Sequence, residues 1–298
     1  MSNDLRILTV LGAGTMGRGI AQVAAAGGYE TRLFDISQHV LDQAVSRIGK
    51  NLDKGVELGK IEPAAAAATR ANLSATTDLG AAVSDAGMVI EAVPESMALK
   101  IDTFKQVSAT APAHAIFASN TSALSITEMA AGSDRPRRFI GMHFFNPVHL
   151  MRLVELVRGL ETSDETVAAT EEVSRRMGKT TVLVNESPGF VTSRINVLIG
   201  NEAFRMLQEG VASAEDIDTA LKLGLNHPMG PFEMADLVGL DVRLSILEHL
   251  HRTLGESYRP SNLMIQYVKA GRLGRKVGRG VYEYDDEGRK KPSGGGSQ

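Results

Sequence analysis

The sequence predicts an α/β protein: a doubly wound sheet that carries a helical arm and is followed by an all-α C-terminal domain. Three observations carry this expectation. Apolar runs of strand length alternate with helical stretches through the first part of the chain, as in a parallel sheet covered on both faces. A glycine-rich turn separates the first of those runs from the first helix. After Ser187-Pro188-Gly189, strand signals almost disappear and apolar residues recur at helical spacing. At 298 residues the chain suits two domains, and the boundary is expected between 1–186 and 187–298.

The expected strands are Arg6–Leu11, Thr31–Phe34, Met88–Val93, Ala115–Ala118 and Phe139–His143. Two later β-like runs, Leu153–Val157 and Thr180–Val184, follow closely enough to extend the sheet, with an antiparallel edge as one option. Between the second and third strands, the polar stretch from Gln38 to Asp78 reads as a helical arm projecting from the sheet. In the second half, Ile195, Ile199, Ala203, Met206 and Leu207 mark a helix that Gly210 stops. Ser213 with Asp216 resembles a capping box for a helix over Ala214 to Leu223, and a third helix should start near Pro231. The Gly-, Ser- and Lys-rich tail Gly288–Gln298 is expected to be disordered.

Composition excludes several classes of function. A net charge of -3 gives no general attraction to nucleic acid or to an anionic membrane. The absence of cysteine removes disulfides, thiolate metal sites and a Cys nucleophile, and suits a reducing, cytoplasmic setting. Leu5 to Leu11 is too short for a secretion signal and reads as a buried strand.

Gly12-Ala13-Gly14-Thr15-Met16-Gly17 is a G-x-G-x-x-G that follows a strand and opens a helix to about Ala26. Gly12 permits the tight turn, Gly14 lets a pyrophosphate approach the main chain, and Gly17 lets helix and strand pack closely. The helix start, through Thr15 and Met16, offers free N–H groups and a positive partial charge. The second strand ends in Asp35, 21 residues after Gly14, where a carboxylate would accept the adenosine ribose hydroxyls. Together these features predict a Rossmann-type sheet that binds NAD. A carboxylate there repels a 2′-phosphate, so NAD is expected over NADP. Arg32 is nearby, but strand alternation turns it toward the side of Phe34.

Oxidation of an alcohol by hydride transfer needs a base, and histidine is the natural choice. Of seven histidines, His39, His114, His149, His227, His249 and His251 stand in helical or loop stretches without polar company. His249 and His251, two apart, would not face together on a helix, and no metal site is expected. His143 differs because it ends a strand, and ligands of open α/β sheets bind beyond the strands' carboxyl ends. The preceding strand ends in the polar run Ser119-Asn120-Thr121-Ser122. Glu155 sits inside Leu153-Val154-Glu155-Leu156-Val157, where a carboxylate is costly to bury unless paired. A histidinium is its obvious partner.

These residues carry a family resemblance. The Gly12–Gly17 fingerprint, Glu91-Ala92-Val93-Pro94-Glu95, Ser119–Ser122, Gly141–Pro147, Pro188-Gly189-Phe190, His227–Phe232 and Gly274–Tyr282 occur in order over nearly the whole chain. Together they resemble the 3-hydroxyacyl-CoA dehydrogenases, most closely the monofunctional bacterial 3-hydroxybutyryl-CoA type. The resemblance implies NAD-dependent oxidation of a (3S)-3-hydroxyacyl-CoA, with His143 as general base, Glu155 orienting it, and Ser122 binding the substrate oxygen. It also implies that Glu95, Lys100, Asn146 and Lys276 contact NAD, with Ser122 close to both ligands. Lys100 has a plainer alternative as a solvated helix charge.

There is one departure. The family commonly has Asn where this chain has Ser193, so the fourth catalytic position falls to Ser193 or to Asn196, nearly one helical turn on. On the arm, Lys50, Lys54 and Lys60 are candidates to meet the CoA phosphates, or form an ordinary hydrated face. Two other functions fit the same features: a related hydroxy-acid dehydrogenase of gulonate type, and a non-catalytic NAD-binding or crystallin-like protein. The resemblance further implies a homodimer through the C-terminal domain.

Overall fold

The computed structural model describes residues 5–292. Eight strands form one sheet in the order β3-β2-β1-β4-β5-β6-β7-β8. They are β1 (Ile7–Leu11), β2 (Glu30–Phe34), β3 (Leu73–Thr76), β4 (Met88–Glu91), β5 (Ile116–Ser119), β6 (Phe139–Phe144), β7 (Leu153–Arg158) and β8 (Thr180–Asn185). All pairings are parallel except β6 with β7. β1, β4 and β5 are almost wholly buried, as expected of central parallel strands with helices on both faces.

The helices of this unit are α1 (Thr15–Ala26), α2 (Gln38–Glu57), α3 (Pro63–Ala71), α4 (Leu79–Val83), α5 (Met97–Ser108), α6 (Ile126–Ala131) and α7 (Asp164–Arg176). Their starts are set locally. The side chains of Ser37, Asp78, Ser125 and Ser163 accept first-turn N–H groups of α2, α4, α6 and α7. The main core runs from α1 through the central strands and includes Ile20, Leu33, Ile90, Met142 and Leu156.

The expected arm is partly a layer of the sheet. α2 buries Leu41 and Ala44 in the main core, while further along Ile48 and Leu52 join Ala66 of α3 in a small cluster of their own. The stretch also contains β3, which the sequence reading missed. Its residues are half exposed at the sheet edge and carry no apolar run.

The chain divides into two units, 1–187 and 188–298. The second is helical: α8 (Thr192–Gln208), α9 (Ala214–Gly224), α10 (Pro231–Val238), α11 (Leu240–Leu254) and α12 (Asn262–Lys269). Phe204, Phe232, Leu240, Leu247 and Met264 centre its core. Ser213 caps α9 through the Asp216 N–H, as its spacing predicts. α8 begins three residues before the expected Ile195, because the first turn starts directly after the Pro188–Val191 punctuation.

The expectation of a disordered tail needs correction for Gly288–Pro292. The Asp285 N–H donates to the Arg289 carbonyl at 3.0 Å and the Lys291 N–H to the Glu283 carbonyl at 2.8 Å, closing a hairpin. Main-chain pairing overrides composition there, and positions 293–298 lie outside the described residues.

Candidate active site

β6 and β7 build the centre of the site by register. In this antiparallel pair His143 stands directly opposite Glu155, with Met142 opposite Leu156 and Phe144 opposite Val154. Side chains alternate between faces, so Met142, Phe144, Val154 and Leu156 enter the main core together. His143 and Glu155 therefore share the other face. The Nδ1 of His143 lies 2.7 Å from Glu155 Oε2, with the histidine 6% exposed and the glutamate 0%. A carboxylate accepts at that distance, which assigns the Nδ1 proton and leaves the basic lone pair on Nε2.

The fingerprint lies at the same edge of the sheet, beyond the carboxyl ends of β1 and β4. Gly12 has φ +93°, and a Cβ there would stand 2.8 Å from the Ala92 carbonyl oxygen. At Gly17 a Cβ would come within 1.7 Å of the Gly12 carbonyl. Gly14, by contrast, has open space where a Cβ would be. No side chain caps α1 and no acidic residue occupies its first turn. An uncapped helix start with space above it fits a pyrophosphate. One oxygen of Asp35 accepts the Ala13 N–H at 2.8 Å and the other the Ser37 N–H at 3.0 Å, which ties the carboxylate to the loop. Arg32 turns away as alternation predicts, to Asp85 and to Glu30 at 3.1 Å.

A buried ionic network supports Ser122. Lys100 is 0% exposed, and its ammonium donates to Glu91 at 2.6 Å and pairs with Glu95 at 3.2 Å. The alternative of a solvated helix charge is thus overturned: Lys100 faces the sheet because Glu91 waits at the end of β4. Glu91 also accepts the Val93 N–H at 2.7 Å and the Ser119 hydroxyl at 2.6 Å. Burial pushes its carboxyl up, against the pull of the Lys100 ammonium. Glu95 in turn accepts the Thr121 hydroxyl at 2.5 Å and the Ser122 N–H at 3.0 Å.

Sequence reasoning did not assign a role to Glu91, Ser119 or Thr121. The signal was present: Glu91 closes an apolar strand much as Glu155 interrupts one. Asn120 was also missed; its side-chain oxygen accepts the Phe144 N–H at 2.9 Å and so joins the ends of β5 and β6.

The remaining candidates are more dispersed. Asn146 is exposed in the segment after β6, preceding a cis peptide bond to Pro147. Lys54 pairs with Glu57 at 3.1 Å, with both side chains exposed, and Lys60 is exposed just beyond α2. In the helical unit, Ser193 lies in the first turn of α8, and Lys276 meets both oxygens of Asp241 at 2.6 Å. Asn196 is engaged by the buried Arg243, which donates to its side-chain oxygen at 3.0 Å.

Two of the dismissed histidines do have polar company. His251 Nε2 lies 2.9 Å from Glu256, and His39 Nε2 lies 2.9 Å from the Gln43 amide. Both contacts are exposed, and an ion pair so open to water contributes little.

Comparison with known proteins gives the family. The 3-hydroxyacyl-CoA dehydrogenase NAD binding domain matches residues 7–187, and the C-terminal domain of the same family matches 189–284. A protein of Bacillus subtilis named "Probable 3-hydroxybutyryl-CoA dehydrogenase" is 47% identical, over 95% of this chain and 99% of its own. The mitochondrial hydroxyacyl-coenzyme A dehydrogenase of Sus scrofa is 40% identical, over 93% of this chain and 90% of its own. Among solved structures, (S)-3-hydroxybutyryl-CoA dehydrogenase of Ralstonia eutropha superposes with a TM-score of 0.91 at 45% identity, covering 95% of this chain and all of that one. Two family models that together span residues 7–284, relatives at 40–47% identity and a matching fold lead to one assignment: the chain belongs to the 3-hydroxyacyl-CoA dehydrogenase family.

Proposed function

We propose that the protein oxidises the 3-hydroxyl of a (3S)-3-hydroxyacyl-CoA to a ketone, with His143 as the base. The observation that carries this reading is the buried His143–Glu155 pair, 2.7 Å apart at the carboxyl edge of a dinucleotide-binding sheet. With Nδ1–H donated to Glu155, Nε2 takes the hydroxyl proton as the C3 hydride leaves. NAD, when bound, accepts that hydride. Glu155 fixes the ring and balances the imidazolium charge that forms. In the reverse direction the same imidazolium returns the proton. Ser122, its main chain held by Glu95, supplies a hydroxyl for the substrate oxygen.

For the cofactor, Gly12, Gly14, Thr15, Met16 and Gly17 would hold the pyrophosphate and Asp35 the adenosine ribose. Glu95, Lys100 and Asn146 would complete the contacts within the sheet unit, with Lys100 acting from within the buried network. Lys54 and Lys60, both exposed on the arm, would meet the CoA phosphates. The gulonate-type and crystallin-like alternatives are disfavoured, because the relatives are named for acyl-CoA dehydrogenation and the His143–Glu155 machinery is intact.

The helical unit leaves Leu223 82% and Leu225 65% exposed. A homodimer through this unit, as the family resemblance implies, would cover such surface, and a solution mass would test it. Among the described residues no helix is long and apolar enough to cross a membrane, and a cytoplasmic setting suits a chain without cysteine.

The reading is tested by His143→Gln with acetoacetyl-CoA and reduced cofactor. Turnover should drop roughly 10²–10⁴-fold while NAD affinity holds. Near-normal turnover in the variant would defeat it.

A further inference from the structure

The segment that returns from β6 into β7 has an unusual anchor. Lys179, immediately before β8, is 8% exposed, and its ammonium donates to the main-chain carbonyls of Val148 and, at 2.8 Å, of Met151. Among the described residues no carboxylate forms an ion pair with it. Burial pulls this lysine below the ordinary range, with no counter-charge to restore it. A buried cation without a counter-ion is costly. Two neutral hydrogen bonds to carbonyls would have needed no charge at all.

What the ammonium holds is placed for function. The turn is knit by the Leu150 and Met151 N–H groups, which both donate to the Pro147 carbonyl at 2.9 Å, and Asn146 sits at its start. Val148, clamped through its carbonyl, is 2% exposed and presses its side chain against α1. A Cβ added at Gly19 would stand 2.8 Å from Val148 Cβ, so the close approach requires glycine there. A chain of direct contacts thus runs from Lys179 through Val148 to the helix whose start forms the fingerprint.

We propose that Lys179 is a positioning residue for NAD: its buried ammonium sets the 146–151 turn against the dinucleotide helix and so fixes where Asn146 stands. This rests on the reading that NAD lies across Gly12–Gly17 with Asn146 at its edge. It does not depend on His143 being the base.

The test is direct calorimetric titration of the full-length protein with NAD, without acyl-CoA, for Lys179→Met and Lys179→Arg. Methionine keeps the aliphatic stem but donates nothing. The Kd for NAD should rise about tenfold, as expected for the loss of one to two net hydrogen bonds. Hydrogen exchange should accelerate at the amides of Val148–Arg152 and stay unchanged in the helical unit. Arginine, which can still donate to both carbonyls, should recover most of the affinity. An unchanged Kd in Lys179→Met would overturn the proposal. So would faster exchange throughout the protein with the arginine variant no better than methionine, since that marks a purely structural role. If the methionine variant does not fold, the arginine variant decides alone: its NAD affinity must stay within about threefold of the parent. Normal turnover in His143→Gln would undo the catalytic assignment and leave this calorimetric result standing.

Discussion

Both units bury carboxylates, and Glu155 is satisfied differently from the two aspartates at the centre of the helical unit. In the sheet unit Glu155 faces the His143 imidazole, a group that can take up a proton. In the helical unit Asp218 accepts the Phe232 and Glu233 N–H groups and the Tyr282 hydroxyl, at 2.8 to 3.1 Å. Asp236 does the same with the Val281 and Tyr282 N–H groups and the Tyr284 hydroxyl, each at 2.9 Å. Burial pushes both aspartates up, and their donors pull back. Glycine makes these approaches possible: a Cβ at Gly230 would meet Asp218 at 2.2 Å, and one at Gly280 would meet Asp236 at 2.0 Å. Of the motif blocks that mark the family, His227–Phe232 and Gly274–Tyr282 supply main-chain and hydroxyl donors to these aspartates and so clasp the helical fold. The difference between the two classes of carboxylate lies in the partner: an imidazole can change charge during turnover, whereas a peptide N–H cannot.

The largest effect that would sharpen this contrast is expected from Glu155→Gln. Glutamine still accepts the Nδ1 proton but cannot balance an imidazolium, so kcat should fall by up to about 10⁴-fold. NAD affinity and melting temperature should barely move. A variant that lost thermal stability alone would place Glu155 with the clasps.

Asp236→Asn should act in the reverse sense. It replaces one acceptor oxygen by an amide N–H₂ that faces the Val281 N–H, or the Tyr282 N–H and Tyr284 hydroxyl, an error worth about 1–3 kcal/mol of stability. The melting temperature of the helical unit should drop by several degrees. Turnover at 25 °C should stay within about twofold of the parent, and a loss on the scale of Glu155→Gln would erase the distinction.

The smallest effect concerns alkaline pH. Burial first, then the neighbouring aspartates, push the phenols of Tyr282 and Tyr284 above the ordinary tyrosine range. Above about pH 10 an unfolded chain releases protons that the folded one keeps. The folded state then binds more protons than the unfolded state, so stability is full below pH 10 and declines as pH rises past it. Tyr284→Phe should flatten that decline while starting from a lower melting temperature. Ultraviolet absorbance of the folded parent above pH 10 should show fewer phenolates than its five tyrosines allow, and a full set would contradict the clasps.

Much of the sheet was legible in the sequence because the central strands, buried on both faces, leave apolar runs. Seven of the eight strands contain a β-like run, including the exposed edge strand β8 with its Val182-Leu183-Val184, whereas Leu73-Ser74-Ala75-Thr76 of β3 has none. The fingerprint and Asp35 were legible because their chemistry is local to one strand–turn–helix and the next strand. Glu91 and Lys100 were visible as letters, but their pairing was not, since it depends on which side of α5 faces the sheet. Lys179 gave no signal, because its partners are main-chain carbonyls 31 and 28 residues away.

The sequence by itself determined a phosphate-binding turn, a histidine at the end of a strand, and a carboxylate too expensive to leave buried alone. Only the tertiary structure decided that His143 and Glu155 meet. β7 runs antiparallel to β6, and the register sets the two residues opposite each other. A slip of one residue would turn Glu155 into the apolar face beside Met142 and Phe144. The apolar residues that flank the pair therefore select the register, and in burying themselves they bring base and carboxylate together.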